Sequence, residues 1–139
     1  MVQNKGIYEE IVSSLNQKDV IFEKGNPLFI NKSISESFNS FGWGDDIRLK
    51  NSRLSISFLK SKVGLCVQLG NVARMYADIL KLCYLYDEGI IDVGSISVPH
   101  KIESRILGQN YARYDRLIKE VELFQKIIKV PILIIGLSN

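Results

Sequence analysis

Between Leu54 and Tyr86 the hydrophobic pattern changes period, and that change limits the folds open to this chain. Leu54, Ile56 and Phe58 alternate with Ser55 and Ser57; Val63, Leu65, Val67 and Leu69 alternate with Gly64, Cys66 and Gln68. Strict alternation puts apolar side chains on one face of a strand. Lys60-Ser61-Lys62 separates the two runs, so an antiparallel hairpin is expected. At Gly70-Asn71 the spacing becomes helical. Val72, Met75, Tyr76, Ile79, Leu80, Cys83 and Tyr86 form a stripe that stops at Gly89, a residue suited to a helix C-terminus. Hairpin, tight turn and amphipathic helix in direct succession call for a sheet with a helix on its face.

The flanking segments complete the plan. Ile7, Ile11, Val12 and Leu15 share one helical face; Gly25-Asn26-Pro27 breaks the chain; Ser33 to Phe41 reads as a second helix, closed by Gly42, Trp43 and Gly44. Ile90 to Pro99 reads as a strand, and Glu103 to Lys126 as one long helix. Pro131 to Gly136 is a continuous apolar run, as in a buried strand. The expected class is α/β: an α/β/α sandwich with a central mixed sheet flanked by helices. With 139 residues and no linker or repeat, one domain over residues 1–139 is expected.

Composition excludes several function classes. Cys66, Cys83 and His100 are too few for a structural zinc site, and two cysteines make no disulfide scaffold. No signal-peptide pattern opens the chain, and no apolar run approaches the ~20 residues that span a bilayer. A soluble, intracellular, cytoplasmic protein without a membrane partner is expected. The net charge of +3 says little as a total. Its distribution says more: the thirty-one residues from Ile47 through Ala77 hold no Asp or Glu, but contain Arg48, Lys50, Arg53, Lys60, Lys62 and Arg74.

The stretch Val67-Gln68-Leu69-Gly70-Asn71-Val72-Ala73-Arg74-Met75-Tyr76-Ala77-Asp78 resembles the turn from catalytic strand to helix in restriction endonucleases of the BglII type, within the PD-(D/E)xK nucleases. The likeness extends to Phe41-Gly42-Trp43, Gly89 to Gly94, Ser97-Val98-Pro99 and Val130 to Leu137, roughly Ser33 to Leu137 in all. It implies a restriction-endonuclease-like fold and Mg²⁺-dependent hydrolysis of phosphodiesters. Two carboxylates on adjacent strands would hold the metal, and a glutamine at Gln68 would replace the usual lysine. The two acid positions, however, carry Ser57 and Cys66.

A catalytically degenerate protein is therefore expected, without cofactor, binding duplex DNA or a protein partner such as an active nuclease, and forming a homodimer. Arg48, Lys50, Arg53, Lys60, Lys62, Asn71 and Arg74 are its candidate DNA contacts, because cations without interleaved acids suit a polyanion. The same Lys residues also discourage edge pairing of a hairpin, and Asn71 suits a helix N-cap. The alternative is an active Mg²⁺-dependent endonuclease using relocated carboxylates, with Glu10, Asp46 and Asp78 as candidates. Asp78 also stands four residues after Arg74, the spacing of a helical ion pair. A further alternative is a protein-interaction or inhibitor subunit without nucleic acid. Cys66 suits a buried strand position better than a nucleophile, Cys83 reads as core and His100 as a strand-end residue. Arg105, Gln109, Asn110, Arg113 and Arg116 read as a structural face or dimer surface.

Overall fold

The computed structural model describes residues 2–16 and 27–138, so Gly25 and Asn26 of the expected break lie outside the described residues. The elements are α1 (Val2–Leu15), α2 (Pro27–Ser40), β1 (Gly44–Arg48), β2 (Ser55–Lys60), β3 (Val63–Val67), α3 (Ala73–Asp87), β4 (Val93–Pro99), α4 (Lys101–Leu107), α5 (Tyr114–Leu123) and β5 (Ile132–Leu137). The five strands lie in numerical order in one sheet. β1, β2 and β3 run antiparallel, while β3, β4 and β5 are parallel. The expected hairpin is β2–β3, closed by Lys60 opposite Val63. Ser61 and Lys62 turn it with φ of 49° and 62°, the left-handed pair whose twist matches the strands it joins.

Helices cover both faces of this mixed sheet. On one, Ile7, Ile11, Ile30, Ile34 and Phe38 of α1 and α2 pack over Phe58 and Leu65. Phe38 stacks on Phe58 at 4.2 Å between ring centroids and meets Trp43 edge-on at 5.3 Å. On the other, Met75, Ile79, Leu82 and Leu85 of α3, with Leu117 of α5, pack over Ile56, Ile96 and Val98. Each such fully buried side chain is worth about 1.5–3 kcal/mol of transfer free energy. The α/β/α sandwich is the architecture expected. No helix among the described residues is long and apolar enough to cross a membrane.

β1 is absent from the expected elements, and four local expectations need correction. β1 shows no alternation because four of its five residues are exposed, so it carried no periodic signal. The long helix breaks into α4 and α5, where Gly108 (φ 145°) and Asn110 (φ 60°) leave helical space. The buried face of α3 is rotated from the expected stripe: Leu80 is 70% exposed, whereas Leu82 and Leu85 are buried beside Asp78. On α1, likewise, Val12 is exposed and Ser14 buried. Finally, β5 is an edge strand, and Leu133 in its apolar run is exposed.

The helix break has a positional consequence. Val72 N–H donates to Asn110 O at 2.7 Å, and Ala112 N–H donates to Gly70 O at 2.8 Å. Asn71 and Tyr111 form a bridge between these bonds. The α4–α5 loop is thus strapped to the turn that leads into α3.

Candidate functional site

The β2–β3 ladder runs from Lys60↔Val63 to Phe58↔Leu65. Beyond it the Ser57 hydroxyl takes the place of a backbone acceptor, receiving Val67 N–H at 2.9 Å. On the neighbouring strand Asp46 adopts φ 45°. A cavity of about 530 Å³ opens where the strands lose regular pairing, lined by Ser57, Cys66, Gln68, Arg74, Asp78 and Lys81, with Asp45 and Asp46 at its exposed edge.

Gln68 organises the interior. Its Nε2 donates to Asp78 Oδ2 at 2.7 Å, and its Oε1 accepts Gly70 N–H at 2.9 Å. The other Asp78 oxygen lies 3.3 Å from Lys81 Nζ. Burial pushes the Asp78 carboxyl above its usual range, more than the bonds from Gln68 and Lys81 and the charge of Arg74 pull it down. Burial, then the nearby Asp78 charge, lifts the Cys66 thiol well above its ordinary value. That thiol stays protonated at neutral pH, which removes the nucleophile reading. Asp78 pairs with Lys81 at i,i+3 instead of Arg74 at i,i+4. Sequence reasoning missed Lys81, whose role shows only once Asp78 is placed on the buried face of α3, where its charge needs compensation.

A hard divalent cation does not fit these donors. It requires several anionic or carbonyl oxygens. Ser57 Oγ is engaged by Val67 N–H, Cys66 offers a protonated sulfur, and Asp78 is bonded on both oxygens, once by an ammonium. Among the described residues no three His, Cys, Asp or Glu side chains are grouped to hold a metal. Asp46 and Asp78 do share the cavity lining. Glu10 is drawn elsewhere: Lys60 Nζ lies 2.9 Å from both its oxygens, and Trp43 Nε1–H donates to Oε2 at 2.8 Å.

The candidate DNA contacts therefore separate by environment. Lys60 is bound to Glu10 and also donates to Phe41 O at 2.6 Å, so its ammonium ties α1 to β2. Lys62 faces Asp92 at 3.7 Å, both exposed. Arg48, Lys50, Arg53 and Arg74 are exposed, and no ion pair among the described residues involves them. Asn71 Oδ1 accepts Ala73 N–H at 2.8 Å, capping α3 from two residues before its start. His100 packs at the end of β4, its ring 4.7 Å from Tyr114 and lying over Gly136, where a Cβ would meet Nε2 at 2.3 Å. A second cavity, of about 750 Å³, holds Arg105, Gln109, Asn110, Arg113 and Arg116 and has no acid in its lining. Tyr111 lines both cavities, so the strapped loop sets the two side by side.

A family model described as restriction endonuclease BglII/BglIII matches residues 1–137. The chain belongs to this family. Restriction endonuclease BglII complexed with a DNA 16-mer superimposes with a TM-score of 0.86 at 14% identity, over 99% of this chain and 71% of that one. Free BglII gives 0.79 at 16% identity, over 99% and 74%. At such identities the superposition establishes the BglII fold. A comparison with curated proteins finds no match.

Proposed function

We propose that this BglII-family chain binds duplex DNA and does not cleave it. The observation that carries this reading is the cavity itself. Ser57 and Cys66, where the resemblance implies acids, offer a hydroxyl and a buried thiol, and its one buried carboxylate is already neutralised by Lys81. Hydrolysis of a phosphodiester needs an activated water and charge stabilisation at the phosphorus, and these donors supply no anchor for the metal that usually provides both. What remains suits binding. The acid-free stretch from Ile47 through Ala77 presents Arg48, Lys50, Arg53, Lys62 and Arg74 to solvent. The adjoining cavity adds arginines and amides, side chains that bond to phosphates and to base edges. Support from relatives is the DNA carried by BglII in one of the matching structures. A homodimer, each copy engaging one half of a symmetric site, belongs to the same proposal.

Fluorescence anisotropy with a labelled duplex at low salt, beside a plasmid-nicking assay in Mg²⁺ and in Mn²⁺, tests the reading. Binding that weakens steeply with salt, with intact plasmid, is expected. Cleavage abolished by chelation would instead establish the relocated-carboxylate reading, which rests on Asp46 and Asp78 lining one cavity. Absence of binding would leave a protein-partner role, for which the apolar groove of Leu49, Leu54, Ala77, Leu80 and Tyr84 is the surface to test.

A further inference from the structure

We infer that the Lys81 ammonium is the resident counter-charge of the first cavity, standing in for a divalent cation, so that a phosphodiester is held there without metal. This rests on the reading that DNA enters the cavity, and it names what receives the phosphate. Asp78 is a buried acid and must be compensated. One of its oxygens takes a neutral donor, Gln68, and the other faces Lys81 at 3.3 Å, on a side chain only 18% exposed. Ser57 and Cys66 add no charge. The sheltered side chains lining the cavity therefore carry one negative charge, Asp78, against one positive charge, Lys81. Asp45, Asp46 and Arg74 are exposed, where water screens them.

Two properties follow from that arrangement. A dication approaching Asp78 meets an ammonium already at the same oxygen, and like charges at contact distance repel strongly away from bulk water. An ammonium also carries three N–H donors, and Asp78 is its hydrogen-bond partner among the described residues. Lys81 can thus keep its aspartate and still donate to a phosphate oxygen.

The test uses the full chain, a short labelled duplex, and Mn²⁺ alone. At constant ionic strength, affinity for the duplex in EDTA is expected to match that in Mg²⁺ within twofold. Lys81→Met is expected to weaken binding in EDTA at least tenfold. Asp78→Asn, which keeps the shape and removes the charge that Lys81 balances, is expected to tighten it at least threefold. Binding that needs Mg²⁺, or that Lys81→Met leaves unchanged, overturns the inference; so does Asp78→Asn binding no tighter than the parent, which decides the matter should Lys81→Met fail to fold. Titration of Mn²⁺, followed by loss of its free electron-paramagnetic-resonance signal, gives an arm independent of DNA. Lys81→Met is expected to take up Mn²⁺ at least tenfold more tightly than the parent chain, and equal uptake overturns the inference. A chain that binds no duplex in any condition defeats the DNA reading, while Mn²⁺ uptake still judges Lys81.

Discussion

Lys60 Nζ lies 2.9 Å from both carboxylate oxygens of Glu10, a residue fifty positions away, and Trp43 Nε1–H closes on the same carboxylate at 2.8 Å. This contact joins α1, the turn before β1, and β2. The ion pair is partly exposed, so its own net worth is about 0.5–1 kcal/mol. The indole is different: Trp43 is only 3% exposed, and a buried N–H without an acceptor costs about 1–3 kcal/mol. Glu10→Ala is therefore expected to destabilise the fold by about 1–3 kcal/mol, and Glu10→Gln by less, because an amide oxygen still accepts from Trp43. Urea unfolding of the three proteins checks the order.

Glu10 and Asp78 should bend the acid limb of stability in opposite senses. Burial raises the Glu10 carboxyl, but the bonds from Lys60 and Trp43 and the Lys60 charge outweigh it, leaving it below its ordinary 4.5. A carboxyl lowered by folding stabilises above that value, and the contribution is lost as pH falls through the folded one. Asp78 is raised above 3.8, chiefly by burial against the pull of Gln68 and Lys81. Its contribution is fully present below 3.8 and is lost as pH rises through the folded value. Relative to the parent, Glu10→Gln should flatten the loss of stability on acidification, and Asp78→Asn should steepen it. Thermal melts between neutral pH and about pH 3 read both slopes.

What the sequence makes legible, and what it hides, follows from burial. β2 and β3 alternate because each has a covered face, and Gly70-Asn71 marks the change of period, so hairpin and helix are readable. β1 is almost wholly exposed and has no period to read. The α4–α5 break was signalled by Gly108-Gln109-Asn110, but apolar residues at helical spacing on both sides masked it. In the cavity, Ser57, Cys66, Gln68 and Asp78 were visible as residue types at motif positions. Lys81 was not, because one more Lys on a helix carries no signal until Asp78 is known to face inward. The pairing of Glu10 with Lys60 is a product of tertiary folding and has no trace in local pattern.

Gly136 leaves room for a ring. A Cβ there would stand 2.3 Å from His100 Nε2 and 2.6 Å from Cε1, and Tyr114 limits retreat of the imidazole. Gly136→Ala should cost about 1–3 kcal/mol through overpacking. The same substitution in a His100→Ala background should cost less than half of that, since the obstructing ring is gone. A double-mutant cycle by chemical denaturation measures the coupling. Equal costs in both backgrounds would mean that the ring moves aside freely.

Salt dependence separates cations that meet phosphate from cations that hold the fold. Each phosphate contact removed lowers the slope of log affinity against log salt by roughly 0.9. Arg48, Lys50, Arg53 and Arg74 are exposed and outside the ion pairs of the described residues, and Lys62 is only loosely opposite Asp92. Neutralising any of these to Gln or Met should lower the slope by up to about one unit and leave the melting temperature unchanged. Lys60 should behave in reverse. Its ammonium is bonded to Glu10 and Phe41 O, so Lys60→Met should lower stability with little effect on the slope. A Lys60→Met slope reduced as much as that of Arg53→Gln would show that the ammonium leaves Glu10 when DNA arrives. The β2–β3 hairpin would then contribute both of its lysines, Lys60 and Lys62, to the polyanion.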